Sequence, residues 1–164
     1  MRIGVISDTH IPDRAKEIPK VILDDFMNVD MIIHAGDFVD LEVLEQLRKI
    51  CSNVRAVCGN MDPEEICKKV SKIDIFKVGK FNIALTHGFG NPNRLIDSLF
   101  EYFKNKQIDL VIFGHSHNPT NETREGILFF NPGSPTDTIF APYRSYGIIE
   151  INDKIEAKII KIDG

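Results

Sequence analysis

The sequence predicts a mixed α/β fold: two mixed sheets packed face to face with helices on the outer faces, an αββα sandwich of four layers. Two observations lead there. Short apolar runs alternate with helical stretches between residues 2 and 113, the pattern of a largely parallel sheet flanked by helices. Two places break that alternation with hairpins, which adds antiparallel strands.

The strands are read first. Residues 2–6, 31–35, 54–58, 82–85 and 110–113 are mostly Ile, Val, Leu and Phe, bounded by Gly or polar residues. Runs of that kind are strands buried on both faces. Residues 75–78 and 81–85 flank Gly79-Lys80, and residues 146–151 and 155–162 flank Asn152-Asp153-Lys154; both read as hairpins. A further apolar run, 127–130, ends in Asn131-Pro132-Gly133-Ser134, whose plain reading is a tight turn with Gly133 left-handed.

Helices fill the gaps. Ile18, Ile22 and Phe26 repeat at one face of 18–26, and Leu41, Leu44, Leu47 and Ile50 at one face of 41–50. Asp62-Pro63-Glu64-Glu65 reads as a cap and first turn, opening a helix to about residue 70. Leu95, Ile96, Leu99 and Phe103 give 93–103 an apolar face.

Length and composition set limits. The 164 residues suit one domain, 1–164, large enough to bury a core without staples. A net charge of -4 argues against general nucleic-acid binding through a basic face. It leaves a phosphate substrate open, because bound cations reverse the local charge. No apolar run approaches the roughly 20 residues needed to span a bilayer, and no signal-peptide pattern is visible, so a cytoplasmic location and no membrane partner are expected. Cys51, Cys58 and Cys67 have neither zinc-site nor redox-pair spacing and are expected to be reduced, mostly buried thiols.

The chemistry lies in position. Each of five strands is followed by a polar cluster: Ser7-Asp8-Thr9-His10, Gly36-Asp37, Gly59-Asn60-Met61-Asp62, Thr86-His87-Gly88 and Gly114-His115-Ser116-His117. Ligands of α/β sheets bind at that edge. Asp8, Asp37 and Asn60 offer oxygen; His10, His87, His115 and His117 offer imidazole nitrogen. Asp8 and His10 are two apart, as are His115 and His117, so on an extended strand end each pair faces one way. Alone, Asp-Thr-His or Gly-Asp is turn chemistry as often as site chemistry. Jointly they are stronger, since four of five histidines directly follow strands. His34, the fifth, is read as support for the loop.

Seven donors are too many for one tetrahedral ion and suit two ions sharing a carboxylate. Such a pair, about 3.5–4 Å apart, clamps the attacking and leaving oxygens of an in-line displacement at phosphorus. Mixed nitrogen and oxygen donors favour Mn, Ni, Fe, Co or Zn over Mg or Ca.

The ordered set Asp8-x-His10, Gly36-Asp37, Gly59-Asn60-x-Asp62, His87-Gly88 and Gly114-His115-x-His117 resembles the calcineurin-like metallophosphoesterase superfamily. The short chain and Asn131-Pro132-Gly133-Ser134 make it similar to the small phosphodiesterase branch, with archaeal and bacterial members, which also includes a retromer scaffold subunit. The resemblance implies the superfamily's sandwich fold. It also implies roles: Asp8, His10 and His117 on one metal, Asn60, His87 and His115 on the other, Asp37 bridging. The implied cofactor is two divalent transition-metal ions, Mn or Ni first. The implied reaction is hydrolysis of a small phosphodiester by a hydroxide bridging the two ions, with Asp37, Asn60 and His87 positioning hydroxide and phosphate. A phosphomonoesterase of the same fold and an interaction scaffold with a residual metal site are the alternatives. Whether copies associate stays open.

One departure matters. Many members carry histidine where this chain has Met61, and that histidine helps protonate the leaving oxygen. A thioether cannot, and Asp62 is left with the role of helix cap. Arg94 and Arg144 are the basic residues next to a loop that could face the pocket; Arg94 reads as a helix-surface residue, Arg144 stays open between the cleft and a neighbouring subunit, and no substrate-binding residue is assigned.

Overall fold

A computed structural model describes residues 1–163. The elements run β1 (Arg2–Ile6), α1 (Lys20–Phe26), β2 (Met31–His34), α2 (Leu41–Ile50), β3 (Val54–Ala56), α3 (Glu64–Cys67), β4 (Ile73–Val78), β5 (Phe81–Thr86), α4 (Leu95–Phe103), β6 (Leu110–Ile112), β7 (Thr120–Arg124), β8 (Ile127–Asn131), β9 (Ser145–Ile151) and β10 (Ile155–Lys161). A single 3₁₀ turn, Pro92–Arg94, leads into α4.

Ten strands form two mixed five-stranded sheets, ordered β10-β9-β1-β2-β3 and β4-β5-β6-β8-β7. In the first, β1, β2 and β3 are parallel, and β9 and β10 add on antiparallel. In the second, β5, β6 and β8 are parallel, with β4 and β7 antiparallel at the edges.

Strand alternation explains the layers. Ile3, Val5, Met31 and Ile33 of one sheet face Ile83, Leu85, Leu110, Ile112 and Phe130 of the other in a central core. The intervening residues point outward. Ile6 and Ile32 pack with Ile18, Ile22, Phe26, Leu44 and Leu47 around α1 and α2. Ala84, Val111 and Phe129 pack with Leu95, Leu99 and Phe103 of α4. Every central strand is therefore buried on both faces, which is why these runs lack polar alternation.

Two sequence expectations change, and one strand was not anticipated. β7, Thr-Asn-Glu-Thr-Arg, is a strand without an apolar signature; it is an edge strand paired only to β8, where charged and polar residues are at home. The helix expected over 62–70 shrinks to Glu64–Cys67, and Pro63 rather than Asp62 occupies the cap position. Cys58 and Cys67 are joined as a disulfide across Gly59–Ile66, against the expectation of free thiols; α3 turns back to bring their Cα atoms within 5.2 Å, and only Cys51 is free. No helix among the described residues is long and apolar enough to cross a membrane.

Candidate metal centre

The three parallel strands of each sheet end at the same edge of the sandwich, so the loops after β1, β2, β3, β5 and β6 meet there. All seven candidate residues converge on that point. Asp8, His10 and His117 bring donor atoms within 4.8 Å of one another, as do Asp8, Asp37 and His87. Asn60 Oδ1 lies 3.0 Å from His87 Nε2 and 3.0 Å from His115 Nδ1.

Asp8 belongs to both groups, and Asp37, a member of the second, also reaches His10 of the first. Asp37 Oδ2 is 3.7 Å from His10 Nε2 and 3.2 Å from His87 Nε2. Asp37 Oδ1 is used up by the Met61 N–H at 2.7 Å. Asp8, with no exposed surface, accepts from Ser7 Oγ at 2.6 Å and from the His115 N–H at 3.1 Å. Its Oδ1 faces His117 Nε2 at 3.3 Å and His87 Nε2 at 3.8 Å.

The pairs Asp8/His10 and His115/His117 do not converge by lying on an extended strand end. Asp8, His10, Asp37, His115 and His117 all have positive φ, between 45° and 69°. Non-glycine residues hold such angles at a cost of about 1–3 kcal/mol each, and only where the surroundings leave no alternative. Here the surroundings are hydrogen bonds. Asp8 N donates to Gly36 O at 2.9 Å and His10 N to Asp37 O at 3.0 Å, so the β1 and β2 loops lock together.

Asp62 does similar work. Its carboxylate accepts from the N–H groups of Asp37 (2.9 Å), Val39 (2.7 Å) and Gly59 (2.7 Å). It ties the Asp37 loop to the Asn60 loop, a role quite different from capping α3. His34 is fully buried behind the site; its Nδ1 accepts from the Gly36 N–H at 3.2 Å, so Nε2–H donates to Thr9 Oγ1 at 3.0 Å. Asn131 ends β8 and accepts from the Gly133 N–H at 2.9 Å, with Gly133 at φ 76°; residues 132–134 are extended loop rather than the expected tight turn. The segment buttresses the loops: Asn131 Nδ2 donates to Gly114 O at 2.9 Å and Ser134 Oγ to Asp8 O at 2.8 Å.

The donor set fits cations. His87 Nδ1–H donates to Ala35 O at 2.8 Å, His115 Nε2–H to Gly90 O at 3.0 Å, and His117 Nδ1–H to Asp137 Oδ2. The opposite ring nitrogens thereby turn lone pairs inward, against carboxylate and amide oxygens. A proton or a metal ion must sit among them. Burial lowers the His87 pKa, but the charges of Asp8 and Asp37 overcome this and raise it to about 9. Burial raises that of Asp8, but His87, His117 and Ser7 bring it down to about 2.

Two residues escaped the sequence reading. Asp137, buried, holds His117 and also accepts from Arg14 Nη1 at 2.9 Å. Arg14 lines the cleft over the site, whereas Arg94 and Arg144 do not. Asp137 sits in Ser134-Pro135-Thr136-Asp137, indistinguishable from an ordinary turn. Arg14 follows His10 by four residues in the same loop, and that proximity was the available signal.

The fold and these convergent loops have known counterparts. Residues 1–154 match the calcineurin-like phosphoesterase superfamily domain. The chain belongs to that superfamily. A probable metallophosphoesterase of Methanocaldococcus jannaschii is 41% identical over 99% of this chain and 82% of its own length. A protein named a phosphodiesterase from the same organism is 33% identical over 81% of this chain and 83% of its own length. Among solved structures, zinc-complexed Vps29 of Entamoeba histolytica superposes with a TM-score of 0.79 at 26% identity, over 98% of this chain and 99% of that one.

Two outcomes check the supporting shell. Asp137→Asn keeps the shape but loosens His117, and metal affinity by titration calorimetry should fall about 10–100-fold; unchanged affinity would contradict the support assigned to Asp137. Burial holds the His34 pKa down at about 3 against an ordinary 6.5. Stability from this ring is full above 6.5 and is lost as pH falls towards 3. From about pH 6.5 to pH 5, the wild type should lose about 1.7 kcal/mol of urea-unfolding free energy that His34→Gln does not lose. Parallel pH profiles would contradict it.

Proposed function

We propose that the chain is a metal-dependent phosphodiesterase working through two cations. The observation that carries this is Asp37 Oδ2, one oxygen placed between a His10 and a His87 nitrogen that belong to separate clusters. Asp8, His10 and His117 would hold one cation, Asn60, His87 and His115 the other, and Asp37 both. Once bound, the pair would acidify a shared water and offset charge on the phosphate.

The protein's own contribution is placement. Asp8, His10 and His117 are buried, while Asn60 is exposed and His115 partly so, which makes the second position the one open to substrate. Asn60 has a neutral acceptor there, so it adds no negative charge to repel phosphate. Mixed imidazole and carboxylate donors suit Mn or Ni, the first choices, with Fe, Co and Zn also compatible.

Preference for a diester rests on charge. Arg14 is the one arginine among the described residues lining the cleft. A dianionic monoester would ask for more. The kinship with a phosphodiesterase-named relative points the same way. The interaction-protein alternative draws support from the likeness to Vps29. Against it stands the complete set of seven donors.

Met61 decides which diesters. It is half-exposed on the cleft wall and holds Asp37 through its backbone only. No proton donor stands in its place, so the leaving oxygen must depart largely unprotonated. With Mn bound, rates across aryl and alkyl diesters should fall steeply as leaving-group pKa rises. Met61→His should raise turnover of the poorest leaving groups by about 10²-fold and flatten the slope. A flat slope in the wild type, with chemistry rate-limiting, would sink this reading.

A further inference from the structure

The wall beside His117 is apolar and exposed in a way that the metal site does not require. Ile139 and Phe140 are 76% and 69% exposed and line the cleft together with Met61 and Pro92. Their pose is built. Asp137 Oδ1 accepts from the N–H groups of Ile139 (2.8 Å) and Phe140 (3.1 Å) while Oδ2 holds His117. One buried carboxylate thus fixes both a candidate ligand and the apolar ledge next to it.

Phe140 lies one ring from the reaction centre. Its centroid is 6.5 Å from that of His117, edge to face. The Arg14 guanidinium carbon sits 5.2 Å from the Phe140 centroid, and Nη1 is fixed by Asp137. A guanidinium has five N–H donors, and those not engaged by Asp137 are available to the cleft that Arg14 lines. The cleft holds about 800 Å³, a small-molecule size.

We propose that Phe140 and Arg14 form a subsite for a flat aromatic substituent on the phosphodiester. This rests on the phosphodiesterase reading and names its substrate class. The aromatic ring packs against Phe140, and an acceptor or anionic group on that ring meets Arg14. Phe140 and Arg14 select the substrate and take no part in bond cleavage.

The test uses the Mn-loaded protein and a direct binding readout. Calorimetry compares diphenyl phosphate, dimethyl phosphate and 4-carboxyphenyl phenyl phosphate. Hydrolysis is followed in parallel with p-nitrophenyl phenyl and p-nitrophenyl methyl phosphate, so the leaving group is constant. Diphenyl phosphate should bind about 10-fold tighter than dimethyl phosphate. Phe140→Ala should cut that ratio below about threefold, and Phe140→Trp should keep it. The carboxylate should add about a further threefold or more, which Arg14→Gln removes. Hydrolysis of both diesters with no aromatic preference, or a preference that survives Phe140→Ala, overturns the subsite and leaves the phosphodiesterase reading standing. Absence of binding and of hydrolysis for every compound overturns both.

Discussion

A carboxylate with no exposed surface sits where the edges of two sheets meet, and the rest of the site is arranged around keeping Asp8 charged there. An isolated buried carboxylate would cost several kcal/mol or simply take up a proton. Asp8 avoids that with Ser7 and the His115 N–H as donors and with the His87 and His117 imidazoles facing it. Those partners come from β1, β5 and β6, that is, from both sheets. The sandwich therefore closes around a charge that neither sheet could bury by itself.

The convergence is bought with backbone strain. Five of the seven candidate residues hold left-handed angles. Two glycines show how tight the packing is. A Cβ on Gly59 would collide with Asp37 Oδ1, and one on Gly114 with Ser7 Oγ. These approaches let the loops interlock, and the interlock enforces the unusual angles. Asp62 and His34 complete it from behind, each serving backbone N–H groups rather than any ligand.

Much of this was legible before any coordinates. The apolar runs gave β1, α2 and the two hairpins to within a residue or two, because two-sided burial leaves a plain signature. The convergence of the seven candidate residues was legible because each follows a strand. What escaped had physical causes. β7 lies at an edge and needs no apolar face. Asp137 holds His117, Arg14 and the Ile139 and Phe140 N–H groups from a Ser-Pro-Thr-Asp segment that reads in sequence as an ordinary turn. The Cys58–Cys67 pair depends on how far α3 folds back, which spacing does not encode. The convergence of Asp8 with His10 was anticipated for the wrong reason, since left-handed angles leave only a weak trace at non-glycine positions, an enrichment of Asp, Asn and His.

In the proposed function Asp37 is shared by the two cation positions, since its Oδ2 faces both His10 and His87. The most direct measurement is metal stoichiometry after saturation with Mn, wild type beside Asp37→Asn, by elemental analysis of the gel-filtered protein. The amide keeps the acceptor for the Met61 N–H, so the loop is retained while the shared charge is removed. Two ions per chain in the wild type, falling to one or fewer in the variant, is the predicted result. Equal occupancy in both proteins, with the fold intact by circular dichroism, would contradict it.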